Sequence, residues 1–159
     1  MDFPLNEDQR AIEEAARAFA EVELLPHSAK WDEEKYFPRE QLKLAAEMGF
    51  AGIYVGEEHG GMGLGRMEAA VIFEELSRGD VATAAFISIH NMASWMIDKF
   101  GSSELRARMV PSLVSMDKIA SYCLTEPGSG SDAAALRTSA VRDGDHYVLN
   151  GSKAVISGA

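Results

Sequence analysis

From Asn6 to about Ser115, apolar residues recur every three or four positions; from Ile119 onward they come in short runs or alternate with polar ones. The first pattern predicts amphipathic helices and the second predicts strands. Asn6 with Gln9 three residues on forms a capping-box pair, and Glu7 and Asp8 suit a helix N-terminus. Ile12, Ala15, Ala16, Phe19 and Val22 then mark one buried side, and Pro26 ends or kinks the helix. A second helix is predicted from Pro38 to just before Gly49, burying Leu42, Ala45, Ala46 and Met48. A third runs from Arg66 to Ser77 on Ala70, Val71, Phe73 and Leu76. Asp80 caps a fourth, about Val81 to Phe100, which is apolar on most sides and therefore central. Ser102 or Ser103 caps a last helix through Leu105, Met109 and Leu113, with Pro111 as a kink.

Residues 49 to 65 interrupt this series with seven glycines and a short extended piece at Ile53-Tyr54-Val55. Gly61-Met62-Gly63-Leu64-Gly65 stops short of a dinucleotide fingerprint, because Arg66 stands where its last glycine would be. No βαβ frame surrounds it, so the stretch reads as a turn packed between helices. Beyond Ser115 to Lys118 the period changes. Ile119 to Thr125, Leu136 to Arg142, His146 to Asn150 and Lys153 to Ser157 are predicted strands. Asp143-Gly144-Asp145 and Asn150-Gly151 are hairpin-turn signals between them.

Composition narrows the function. The chain has 159 residues, 47% hydrophobic, enough for one domain or one domain and part of another. A formal charge of −10 with only 15 basic residues argues against a nucleic-acid surface, which needs a basic stripe. One cysteine, Cys123, leaves no disulfide framework and reads as a small buried hydrophobe. The N-terminus carries neither a basic signal peptide nor an arginine-rich transit peptide, and no run reaches the ~18 apolar residues of a membrane span. A protein of a reducing compartment is expected, bacterial cytoplasm or mitochondrial matrix.

Candidate chemistry is sparse. The four histidines (27, 59, 90 and 146) lack metal-ligand spacing, and neither a G-x-S-x-G elbow nor a Walker lysine is present. His90 and Asn91 are unusual on so apolar a helix. They are either a hydrogen-bonded core pair or part of a ligand pocket. The strongest signal is Tyr122-Cys123-Leu124-Thr125-Glu126-Pro127-Gly128-Ser129-Gly130-Ser131-Asp132, where an apolar run stops at a polar glycine turn. Gly128 and Gly130 let backbone approach a ligand closely, and hydroxyls and free N–H groups can form a donor nest for a nucleotide. Glu126 adjoins the turn as a general-base candidate, against the alternative that it hydrogen-bonds local backbone.

That Thr125-to-Asp132 run resembles the acyl-CoA dehydrogenases, flavoenzymes that desaturate acyl-CoA thioesters. So do Gln9, Gly60-Gly61-Met62-Gly63, the helix Ile87 to Asp98 and Asn150 to Gly158. The Ile87-Ser88-Ile89-His90-Asn91-Met92 stretch is most similar to the short branched-chain members. The resemblance implies a mainly α fold: an up-and-down helical N-terminal domain, residues 1–116, then the first strands of an incomplete β-barrel-like middle domain, 117–159. The family's C-terminal helical bundle would be absent. It further implies FAD, lined by Tyr122 to Ser131, with Ser131 also approaching the acyl-CoA substrate. Val155-Ile156-Ser157 would lie against the isoalloxazine, Ser157 near its reactive nitrogen, where donors stabilise negative charge on the ring.

Val155 departs from the aromatic residue usual at its position. The family's catalytic glutamate belongs to the C-terminal domain, so no catalytic residue is assigned here and the chain by itself is expected to be inactive. Electron-transfer flavoprotein is the implied acceptor, and a dimer or tetramer the implied assembly of the full-length enzyme. A flavin monooxygenase or acyl-CoA oxidase on the same scaffold, or a non-catalytic helical binding module, are the alternatives.

Overall fold

The computed structural model describes residues 4–158. Among these the chain is mainly helical, with six α-helices and two strands, and it divides into one compact unit ending at Ala120 and another beginning at Ser121.

In the first unit the capping signals act where the sequence places them. Helix α1, Glu7–Phe19, starts at Asn6, whose side chain accepts from Gln9 N at 2.8 Å while Gln9 Oε1 accepts from Asn6 N at 3.1 Å. The last turn before Pro26 widens to a π-helical turn, Ala20–Leu24, closed by Leu25 N donating to Ala20 O at 2.9 Å. Proline lacks an N–H and crowds the carbonyl four residues back, so the regular ladder cannot continue through it. The wider turn shifts the buried stripe. Leu24 is buried, whereas Val22, expected inside, is 65% exposed.

Helix α2, Ser28–Glu34, has no counterpart in the sequence reading because it buries none of its residues and so carries no apolar period. Helix α3, Arg39–Glu47, follows Pro38 and buries Leu42 and Ala45; Met48, expected beside them, lies outside the helix and is exposed. Helix α4, Arg66–Gly79, buries Ala69, Val71, Ile72 and Leu76, and Ala70 faces out. It also buries Glu75, which accepts from Arg17 Nε at 2.9 Å and Nη2 at 3.1 Å. The pairing holds the Glu75 carboxyl below its ordinary range, which keeps the buried charge matched.

Helix α5, Val81–Phe100, begins at Asp80, which accepts from Thr83 N at 2.7 Å. It packs between α4 and α6, Ser103–Val114, which Ser102 caps and which runs on through Pro111. Leu24, Leu42, Ile53, Ile72, Leu76, Ile87 and Leu113 are the large side chains at the centre of the unit.

The inner face of α5 becomes polar along its length, at His90, Asn91 and Ser94. All three are fully buried, and the pair at 90–91 proves to be hydrogen-bonded core. Asn91 Oδ1 accepts from Ile53 N at 2.7 Å, and its Nδ2 donates to Phe50 O at 2.7 Å and Ile87 O at 2.9 Å. Two turns on, Asp98 Oδ2 accepts from Gly56 N at 3.1 Å. One helix face therefore satisfies a loop that has no strand partner for those groups; Ile53 to Val55 is a bend rather than an extended piece.

His90 holds the other flank. Its Nδ1 accepts from Ala120 N at 3.1 Å, which makes Nε2 the protonated nitrogen that donates to Leu113 O at 3.0 Å. Burial pushes its pKa down from the usual histidine value. The neutral ring is therefore stabilising above about pH 6.5, and that contribution is lost progressively as pH falls from there toward the folded value. The urea midpoint should consequently drop between pH 7.5 and pH 5 more steeply in the wild type than in His90→Gln, which cannot titrate. Equal slopes would show that His90 does not titrate across folding.

The second unit contains one hairpin. Strand β1, Ser139–Asp143, pairs antiparallel with β2, His146–Asn150, in the register Ser139 with Asn150 and Asp143 with His146. Gly144 supplies the positive φ, 59°, that the two-residue turn demands. Every residue of both strands is exposed. The strands expected at Ile119 to Thr125 and Lys153 to Ser157 do not form, and Asn150-Gly151 turns into no second hairpin. A strand exists only by pairing, and among the described residues neither segment has a ladder partner. Residues 136–138, the expected start of β1, are used instead to close the turn described next.

Candidate active site

The candidate site lies in the second unit, and its centre is Glu126. Glu126 N donates to Ser129 O at 2.9 Å and Ser129 N to Glu126 O at 3.1 Å, which folds Pro127 and Gly128 into a tight turn. Ser129 Oγ donates to Asp132 O at 2.6 Å and is buried by doing so. The Glu126 side chain, only 7% exposed, points inward. Its Oε2 accepts from Arg137 N at 2.7 Å, and its Oε1 accepts from Thr138 N at 2.9 Å and Lys153 Nζ at 3.0 Å. The hydrogen bonds from the Thr138 and Arg137 N–H groups and from Lys153 hold the carboxyl well below the usual carboxylate range. The Thr138 hydroxyl beside it is buried and makes no hydrogen bond. A carboxylate so engaged is not available as a base, so the local-backbone reading of Glu126 is the one that holds.

Lys153 also donates to Leu124 O at 3.0 Å, and Ala154 N donates to Thr125 O at 3.0 Å. The two segments that the sequence marks for a flavin, 122–131 and 155–157, are thus tied together through Lys153 and Ala154. Lys153, Arg137 and Thr138 were not among the expected site residues. No local signal marks them, since Lys153 lies 27 positions from Glu126 and meets it only in the folded chain.

What remains is an exposed backbone surface with unused donors. Among the described residues, the hydroxyls of Tyr122, Thr125, Ser131 and Ser157 and the N–H groups of Gly128, Gly130 and Ser131 make no hydrogen bond. A Cβ built on Gly128 or Gly130 would meet nothing within 4 Å. These glycines therefore leave open space over the backbone, room for the ring or phosphate oxygens of a nucleotide. Beside the turn, a hollow of about 230 Å³ is lined by Pro127, Gly128, Arg137 and Ser152.

Cys123 is exposed, contrary to its reading as a buried hydrophobe, because the segment is not packed as a strand. Val155 is 93% exposed with φ of 55°, a left-handed conformation rather than the extended one expected there. Leu124 and Ile156 are half-buried. A larger apolar cleft of about 860 Å³ in the helical unit, lined by Leu25, Trp31, Tyr36, Phe37 and Phe86, contains none of the expected site residues. Two of its polar side chains, Ser28 and Asp80, are bonded to each other. Among the described residues no helix is long and apolar enough to cross a membrane.

The chain belongs to the acyl-CoA dehydrogenase family. The family's N-terminal domain matches residues 6–117 and its middle domain residues 121–159. The chain is 58% identical over 154 residues to the mitochondrial isobutyryl-CoA dehydrogenase of Dictyostelium discoideum, covering 97% of this chain and 37% of that protein. A solved glutaryl-CoA dehydrogenase in complex with glutaryl-CoA superposes with a TM-score of 0.91 at 33% identity, covering 98% of this chain and 40% of the other. An acyl-CoA dehydrogenase complexed with FAD from Bacillus anthracis gives 0.87 at 36% identity, covering 96% and 27%. The chain thus spans about two-fifths or less of the length of these relatives.

Proposed function

We propose that this chain is the N-terminal part of an FAD-dependent acyl-CoA dehydrogenase acting on a short branched acyl-CoA. In this reading, residues 1–116 form the helical domain and 117–159 open the middle domain. The observation that carries it is the cross-tied pair of segments at 122–131 and 153–157, which leaves Thr125, Ser131 and Ser157 hydroxyls free on one polypeptide unit. Similarity to isobutyryl-CoA dehydrogenase favours isobutyryl-CoA as substrate.

FAD, when bound, supplies the electron acceptor for α,β-desaturation of the thioester. The chain's own part is to bind and orient. Free N–H groups at Gly128, Gly130 and Ser131 and the Thr125 hydroxyl would hold flavin oxygens, and Ser131 would also face the acyl-CoA. Ser157 would donate near the reactive ring nitrogen, and preorganised donors there stabilise developing negative charge. The proton-abstracting base, the electron-transfer flavoprotein as acceptor and assembly into a dimer or tetramer are assigned to the complete polypeptide.

In the test, the complete polypeptide is purified and given isobutyryl-CoA with an artificial acceptor. A yellow protein that yields the α,β-unsaturated acyl-CoA is expected, with the 159-residue chain inactive in parallel. Hydrogen peroxide or a hydroxylated product in place of the enoyl thioester would point to an oxidase or monooxygenase, and a colourless protein that stays colourless with added FAD to a binding module. Turnover by the 159-residue chain would show that the base lies within it.

A further inference from the structure

Glu126 and Lys153 lie behind the donor surface rather than on it, yet they touch nearly every segment that builds it. Glu126 belongs to the turn that presents Gly128 and Gly130. Its carboxylate takes two successive backbone N–H groups, Arg137 and Thr138, at 2.7 and 2.9 Å. These residues lead directly into β1. Lys153 then bridges this carboxylate, at 3.0 Å, to the carbonyl of Leu124, also at 3.0 Å, and its neighbour Ala154 bonds to Thr125 O. The Lys153 side chain is three-quarters covered and that of Glu126 nearly fully so, which limits competition from water. Among the described residues no other hydrogen bond ties 153–157 to 122–126.

We infer that Glu126 and Lys153 are positioning residues, a brace that sets the spacing between the 122–131 segment and the 155–157 segment and thereby the shape of the flavin-binding surface. This rests on the functional reading above and assigns to neither residue a direct contact with the cofactor. Two charges are used where backbone pairing is missing: neither segment is held by a strand ladder. Charge-assisted bonds are short and directional, which suits them to fixing a separation. The carboxylate is well below its ordinary range, so the brace stays ionised throughout the pH range in which such an enzyme would be assayed.

The test uses the complete polypeptide with three variants, Glu126→Gln, Lys153→Met and Lys153→Arg, and the wild type as reference. Glu126→Gln places an NH2 group against N–H donors, and Lys153→Met removes the bridge. Each should weaken FAD binding, read from flavin fluorescence, by about tenfold or more, the loss of one charge-assisted hydrogen bond. At saturating FAD both should still show an altered visible circular dichroism of the flavin, which a purely stabilising residue would leave unchanged once the protein is folded. Lys153→Arg keeps the charge and the donors and should restore affinity to within about threefold. Amide exchange at Arg137 and Thr138 should accelerate in Glu126→Gln. Unchanged exchange at those two amides overturns the brace whatever the flavin does. Variants with normal exchange changes but wild-type FAD affinity and dichroism overturn the positioning role and leave the functional reading standing. Wild-type protein that takes up no FAD overturns that reading itself, and the positioning role falls with it.

Discussion

Asn91→Ala is expected to lower the unfolding free energy of the helical unit by about 4 kcal/mol, because two buried groups lose their partners and each orphan costs about 1–3 kcal/mol. The groups are Ile53 N–H and Phe50 C=O, both bonded at 2.7 Å to the Asn91 amide and to nothing else. The carbonyl of Ile87 is less affected, since it also serves the helix ladder of α5. Water cannot take over, because Asn91 is 0% exposed. Asn91→Asp is a sharper probe. It preserves the acceptor for Ile53 but turns a carboxylate toward Phe50 O, so it should be at least as damaging as alanine. Trp31 and Trp95 both lie in the helical unit, so tryptophan fluorescence during urea unfolding of the 159-residue chain reports on that unit. A loss below about 1 kcal/mol for both variants would mean that the loop at 50–56 finds other partners.

The second large effect separates two kinds of glycine. A Cβ on Gly61 would overlap the Val55 carbonyl and Cβ, part of a backbone pairing in which Met62 N donates to Gly52 O at 2.9 Å and Leu64 N to Ile53 O at 2.8 Å. Backbone cannot swing aside as a side chain can, so Gly61→Ala should cost about 3 kcal/mol, at the upper end for overpacking. Gly130→Ala meets open space and should leave the unfolding free energy within about 0.5 kcal/mol of wild type. Its effect should appear instead in FAD affinity of the complete polypeptide. The reverse result, with Gly130→Ala unfolding the protein and Gly61→Ala tolerated, would exchange the structural and ligand-facing assignments of the two glycine stretches.

The helical unit was legible wherever a helix buries a face. Asn6, Asp80 and Ser102 cap α1, α5 and α6 at the residues that local hydrogen bonding favours. Capping depends on three or four neighbouring residues, which the sequence lists in order. Helix α2 was not legible because it is exposed, and Leu24 replaced Val22 because a widened turn before Pro26 changed the phase of an otherwise regular period. Both are consequences of packing that no local count contains.

The site divides in the same way. The turn at 122–132 was identifiable from its own residues, since glycine, serine and threonine carry their backbone freedom and hydroxyls wherever the chain goes. That Glu126 faces inward, that its charge is neutralised by Lys153 and that Val155 is exposed could not be read from the residues alone. Glu126 and Lys153 lie 27 positions apart, and only folding brings them to 3.0 Å. The same holds for Asn91 and the Ile53 amide, 38 positions apart.

By itself, then, the sequence determined the helices that bury a face, their caps and the donor-rich turn, because these follow from near-neighbour sterics and hydrogen bonding. Tertiary structure decided which polar side chains are spent holding the protein together and which are left without a protein partner. The physical reason is that a donor or acceptor is used or free only relative to the partners that long-range packing places within about 3 Å of it.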